Sequence, residues 1–186
     1  MGRLTSRHAR LASQNANKLR ELRQALPDWE LELLDADGYP PEDGETYYEN
    51  ALGKARFGRE HTSAWVLGED SGIEVAALGG RPGVASARWA YDGVAALLEA
   101  LQGVKDRRAR YVCELVALSP KGDELRGTGT VDGTIAPEPR GSEGFGYDPI
   151  FVPDGESRTV AELGNDWKAE HSHRARAARA LSERPM

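Results

Sequence analysis

The stretch Trp65-Val-Leu-Gly-Glu-Asp-Ser-Gly-Ile-Glu-Val-Ala-Ala77 decides how the rest of the chain is organised. Trp65–Gly68 is short, apolar and without helical periodicity, so it reads as a buried strand. It ends in Glu69-Asp70-Ser71-Gly72, after which Ile73–Ala77 reads as another short strand. A side chain at the end of a strand in an α/β sheet projects into a cleft, a position from which Asp70 can serve a metal or act as a base. The alternative is a turn in which Asp70 and Ser71 bond their own backbone.

Working outward, His8–Ala12 reads as a strand, and Lys18–Leu26 as a helix with Leu19, Leu22 and Leu26 on one face and Pro27 as its stop. Trp29–Leu34 reads as a strand and Thr46–His61 as a helix presenting Tyr48, Leu52 and Ala55. Toward the C-terminus, Val94–Leu101 is an apolar helix, Tyr111–Leu118 a β-rich run, and Arg126–Ile135 a strand pair or one long strand. Ile150–Val152 is a short strand and Trp167–Leu181 a terminal helix. Strands and helices mix throughout, which predicts a single α/β domain over residues 1–186 with a mostly buried central sheet.

The 186 residues carry 24 Lys+Arg against 30 Asp+Glu, a formal net charge of −6. A nonspecific nucleic-acid coat and a basic membrane-surface protein both need a positive field, so both are disfavoured; a small anionic ligand needs only local positive groups. The lone Cys113 excludes an intrachain disulfide and a multi-cysteine zinc site. The opening MGRLTSRHARLASQ has charges but no apolar core of a signal segment, so a reducing cytoplasm is expected.

Five groups of residues carry candidate chemistry. Ser13-Gln14-Asn15-Ala16-Asn17-Lys18 lies between a strand and a helix, where free backbone N–H groups can seat a phosphate and Lys18 adds a point charge; it reads equally as a plain N-cap. The acids Glu42, Asp43, Glu45 and Glu49, followed by Glu69-Asp70, offer the hard oxygens that Mg²⁺ prefers, or a solvated surface. Asn50 and Lys54 are four apart and share a helix face. Gly141-Ser-Glu-Gly-Phe145-Gly146-Tyr147-Asp148-Pro149 is a glycine loop with rings able to stack on a base, or a hairpin whose aromatics plug the core. Lys168-Ala-Glu-His-Ser-His173-Arg174 opens a basic run through Arg176, Arg179 and Arg184, which reads as a solvated helix face. His171 and His173 are two apart and fall on different helical faces, against a His-His metal pair. Ser-His-Asp, GxSxG, GxGxxG and HExxH signatures are absent.

The order of these segments is more specific than any one of them. Ser-x-Asn-x-x-Lys, Glu-Asp-Gly-x-Thr-Tyr-x-Glu-Asn-Ala-x-x-Lys-Ala, Glu-Asp-Ser-Gly-Ile and Leu-Gly-Gly-x-Pro-Gly-Val-x-Ser-Ala-Arg come first. Gly-Phe-Gly-Tyr-Asp-Pro-Ile-Phe, Thr-Val-Ala-Glu-Leu and Lys-x-x-x-Ser-His-Arg follow. From about Arg10 to Leu181 the chain closely resembles the inosine/xanthosine triphosphate pyrophosphatase family. The resemblance implies an elongated mixed sheet flanked by helices, two lobes with a nucleotide cleft between them, and a homodimer. It implies hydrolysis of deaminated purine nucleoside triphosphates (ITP, dITP, XTP) to monophosphate and pyrophosphate with Mg²⁺. By motif position, Ser13, Gln14, Asn15, Ala16, Asn17, Lys18 and Lys54 would hold the triphosphate. Glu42 and Asp70 would hold Mg²⁺, with Asp70 the proton acceptor and Ser71 beside it. Phe145, Gly146, Tyr147, Asp148, Lys168, His173 and Arg174 would surround base and sugar. Four departures stand out: the segment after Arg88 is shorter than usual, Trp167 replaces a usual acid, His171 replaces a usual aliphatic, and Ala175 stands for a usual glycine.

Overall fold

The computed structural model describes residues 7–183, which form a mixed α/β unit. Its six strands are β1 (Arg7–Leu11), β2 (Trp29–Leu33), β3 (Trp65–Val75), β4 (Arg108–Leu118), β5 (Glu124–Ile135) and β6 (Phe151–Pro153), ordered β2-β1-β3-β4-β5-β6 in one sheet. β2, β1 and β3 are parallel, and β3 through β6 antiparallel. Five helices flank the sheet: α1 (Ala16–Ala25), α2 (Tyr47–His61), α3 (Gly93–Ala100), α4 (Val160–His171) and α5 (His173–Ser182). Short 3₁₀ turns occupy Ala76–Leu78 and Gly83–Arg88.

Most expected elements appear within a residue or two, and their caps explain why. Asn15 caps α1, its side chain accepting from the amides of Asn17 and Lys18. Thr46 and Glu49 form a reciprocal capping box that starts α2, as Thr159 and Glu162 do for α4.

Three expectations are corrected. Trp65–Gly68 and Ile73–Ala77 are not two strands: β3 runs unbroken from Trp65 to Val75, so Glu69 and Asp70 sit in mid-strand and form no turn. Gly68 is there for packing, because a Cβ on it would strike the carbonyl oxygen of Ala51 in α2. Arg126–Ile135, read as a strand pair or one long strand, takes the second form within β5. Trp167–Leu181 is not one helix: Ser172, extended at φ −62 and ψ 158, ends α4 and caps α5 by accepting from Ala175 N–H. The basic run is likewise no simple solvated face, since Lys168 and Arg174 are buried. Arg184 lies outside the described residues.

The sheet separates two helical layers. α2 packs on β3 and β4, while α5 lies along β5 and β4 with α1 beside it. α5 approaches so closely that a Cβ on Gly129 would meet the His173 carbonyl oxygen. Two large apolar clusters fill the ends: one joins β1, α1, β4 and α5 through Leu11, Leu22, Leu115 and Leu181. The other joins the far halves of β3 to β5 with α3 and β6 through Ile73, Leu97, Ile135 and Phe151. Burying a Leu, Ile or Phe side chain stabilises a fold by about 1.5–3 kcal/mol each. Among the described residues no helix is long and apolar enough to cross a membrane.

Candidate active site

The site is organised by where β1 ends. β1 pairs with β3 from Ala9 opposite Trp65 to Leu11 opposite Leu67, after which the chain leaves to enter α1. β2 and β3 lie on either side of β1, so this is the switch point of the parallel part of the sheet, where α/β proteins bind ligands. Residues 69–72 of β3 are thus paired to β4 on one side and face a gap on the other. The backbone of Leu67 accepts from Ala12 N–H across that edge, and Ile73 N–H donates to Ser86 Oγ at 2.8 Å. Ser71 has the same parity, so its peptide groups point into the gap.

Because side chains alternate along a strand, the two neighbouring acids go to opposite faces. Asp70 turns toward α2. Its Oδ2 accepts from Asn50 Nδ2 at 2.9 Å, and Oδ1 lies 3.7 Å from Lys54 Nζ. Lys54 also donates to the Glu69 carbonyl at 2.9 Å and pairs with Glu42, to which Arg88 adds a contact at 3.7 Å. Burial pushes the Asp70 carboxyl above its usual range, against the opposing pull of Lys54 and Asn50. Burial would lower Lys54, but Glu69, Asp70 and Glu42 together hold it above its ordinary value. Glu49 is occupied in its capping box and stands apart from this group.

Glu69 turns the other way, toward α1 and α5, and is fully buried. Its Oε2 pairs with Lys18 at 2.6 Å, and its Oε1 accepts from Arg174 Nε and Nη2 at 3.1 and 2.9 Å. Arg174 also donates to Ser71 Oγ at 2.9 Å and to Glu21, and Glu21 pairs with Lys168 at 2.6 Å. Lys168 donates to Asp148 at 2.5 Å, and Asp148 accepts from Tyr111 Oη at 3.1 Å. The result is one buried chain of alternating charge, Lys18–Glu69–Arg174–Glu21–Lys168–Asp148. Burial alone would raise Glu69; Arg174, Lys18 and Lys54 outweigh it and hold the carboxyl well below its usual range. Asp148 stays above its usual range because burial exceeds the pull of Lys168.

A cleft of about 650 Å³ opens over this second face. Of the residues expected from the sequence, Asn15, Lys18, Ser71, Phe145, Gly146, Tyr147, Asp148, Lys168, His173 and Arg174 line it. Ser13, Gln14, Ala16 and Asn17 do not, nor do Glu42, Lys54 and Asp70, which gather on the α2 side of the same strand edge. Ser13 instead accepts from Asn15 N–H at 3.1 Å. His173 stacks on Tyr111, with centroids 4.4 Å apart and planes 7° apart. Burial and then the Arg174 charge hold its imidazole well below its usual range, so it is neutral at neutral pH. The Phe145 ring lies over Lys168 and Arg174 at 4.5 and 5.5 Å. Tyr147 is a core residue whose hydroxyl donates to the Ser86 carbonyl at 2.9 Å, tying the glycine loop to the opposite wall.

Sequence reasoning missed Glu21, Tyr111 and the role of Glu69. The signal for Glu21 was there: it stands between Leu19 and Leu22, both buried, on the face of α1 that meets α5. Among the described residues no group of three or more His, Cys, Asp and Glu is placed to hold a metal. Glu42 and Asp70 are a pair of hard oxygen donors that already bracket one cation, the Lys54 ammonium.

Residues 9–184 match the model of the Ham1 family. The chain is 43% identical over 185 residues to the dITP/XTP pyrophosphatase of Deinococcus deserti, covering 96% of this chain and 89% of that one. It is 40% identical to the protein of the same name from Bdellovibrio bacteriovorus, covering 94% and 95%. The solved Ham1 protein of Staphylococcus aureus superposes with a TM-score of 0.83 at 35% identity, covering 94% of this chain and 96% of that one.

Proposed function

The chain belongs to the Ham1 family, and from that membership we propose that it hydrolyses non-canonical purine nucleoside triphosphates, ITP, dITP and XTP, to the monophosphate and pyrophosphate. One observation carries the reading. At the open edge of β3, a proton-hungry carboxylate on one face adjoins, through Ser71, a cation-lined cleft on the other. A polyphosphate laid along that edge is reached by Lys18 from the α1 side and by Lys54 and Asp70 from the α2 side.

In this mechanism Asp70 is the base. Asn50 fixes its Oδ2, leaving Oδ1 to accept the proton of the attacking water, and its raised pKa makes it a stronger acceptor. The water oxygen bonds to the α-phosphorus as the bridging oxygen departs with pyrophosphate. Lys18 and Lys54 neutralise and align the phosphates. Glu42 and Asp70 would hold a Mg²⁺ ion, which when bound offsets phosphate charge; one or two carboxylates with phosphate oxygens and water suit that ion.

At the base end Arg174 commits four of its N–H groups to Glu69, Glu21 and Ser71, leaving one on Nη1 for a ligand. That donor and the neutral His173 favour an acceptor at the purine 6-position. Adenine would set its amine against a donor, at a cost of about 1–3 kcal/mol for the unpaired group. The same reading makes the enzyme a cytoplasmic homodimer; the buried, unpaired Cys113 suits a reducing compartment. The test is pyrophosphate release from a panel of ITP, XTP, GTP and ATP, with and without Mg²⁺. Release of pyrophosphate from ITP and XTP in preference to ATP is expected, and orthophosphate as the product overturns the proposal.

A further inference from the structure

We infer that Glu69 couples the two ends of the cleft, so that a ligand at the phosphate end and a ligand at the base end compete for the cations this one carboxylate holds. The inference rests on the reading of the cleft given above and adds a residue that touches neither ligand. Glu69 divides its two oxygens: Oε2 serves Lys18 in the first turn of α1, and Oε1 serves Arg174 in the first turn of α5. The first cation belongs to the phosphate end and the second to the base end.

The carboxylate has no access to solvent, so water cannot replace a departing partner. Leaving a buried charge uncompensated is strongly unfavourable. The rest of the chain of charges offers no substitute, since Glu21 and Asp148 already share Lys168, and Glu21 also draws on Arg174. When Lys18 swings toward a phosphate oxygen, Glu69 leans on Arg174 alone and holds it back from the base. When a base draws the guanidinium outward by its spare Nη1 N–H, the Nε and Nη2 contacts to Oε1 lengthen and Glu69 holds Lys18 more firmly. The two ends therefore weaken each other's ligands, and cleavage of the substrate into two fragments turns that antagonism into faster departure of both. Glu69 is a positioning residue acting through two others.

The experiment measures the dissociation constant of pyrophosphate by calorimetry with and without saturating inosine, which carries no phosphate and cannot repel pyrophosphate directly. In the wild-type enzyme inosine is expected to weaken pyrophosphate about fivefold, and pyrophosphate to weaken inosine by the same factor, as linkage requires. An unchanged pyrophosphate constant overturns the inference. Glu69→Asp keeps the buried charge but shortens its reach, and is expected to bring the factor toward one while both ligands still bind. A factor that persists in a folded Glu69→Asp enzyme also overturns it. Hydrolysis of ITP by the same preparation separates this failure from failure of the functional reading: an enzyme that releases pyrophosphate yet shows independent binding refutes the coupling alone.

Discussion

Glu69 and Asp70 are consecutive residues of one strand with the same charge and nearly the same burial, yet their surroundings differ sharply. On the α1/α5 face, Glu69 has a cation for each oxygen and its carboxyl is held far below its usual range. On the α2 face, Asp70 has one amide and a cation at 3.7 Å that is shared with Glu42, and its carboxyl rises. A satisfied buried acid holds its neighbours in place; an under-compensated one retains an appetite for a proton or a metal. Strand alternation alone separates the two environments, and in the function proposed above the open edge of β3 would let one substrate meet both.

The sharpest way to break this contrast is Asp70→Asn. It is expected to lower kcat for ITP about a thousandfold while leaving the thermal midpoint unchanged or raised, measured by pyrophosphate release and a melting curve. Near-normal turnover would remove Asp70 from the chemistry. Glu69→Gln should do the reverse in stability: removing one member of a buried ion network costs about 3 kcal/mol, read from urea unfolding. If Asp70→Asn unfolded the chain and Glu69→Gln did not, the roles would be exchanged.

Phe145→Ala tests whether the face over Glu69 is the base end. Loss of a stacking ring worth 1–3 kcal/mol should raise KM for ITP about tenfold with a smaller change in kcat. The smallest effect concerns acid. His173 is held below its unfolded value of 6.5, so the unfolded chain takes up a proton first and stability falls as the pH drops below 6.5. One proton corresponds to about 1.4 kcal/mol per pH unit, and His173→Asn should flatten that slope in denaturation curves between pH 6.5 and 5.5. Asp70, with its carboxyl raised, contributes with the opposite sign: the folded chain takes up that proton first, so acidification relieves it.

Much of the scaffold was legible in the sequence because its signals are local. Leu19, Leu22 and Pro27 delimit α1, and Thr46 with Glu49 starts α2. β3 reads as two strands because Glu69-Asp70-Ser71-Gly72 is a run of turn-forming residues; Gly68 and Gly72 are instead required by the close approach of α2 and the 83–88 turn, which no local pattern contains. Once β3 was broken, the alternation that parts Glu69 from Asp70 was hidden as well. Lys168 and Arg174 look solvated for a related reason: a buried ion network is assembled from α1, β3, the glycine loop and two helices, with partners up to 153 residues apart. The Phe145–Asp148 loop divides between its two readings: Phe145 faces the cleft, while the Tyr147 ring packs in the core.

One residue, Ser172, both closes α4 and starts α5. The rotational phase of His173 and Arg174 against Lys168 is thus set by a hinge one residue long. A single inserted residue there would turn the following side chains by about 100° around the axis and carry the guanidinium off both of its acids. Length changes are better placed in the exposed turn at residues 120–123, so a tag or loop graft belongs in that hairpin and never at the helix junction.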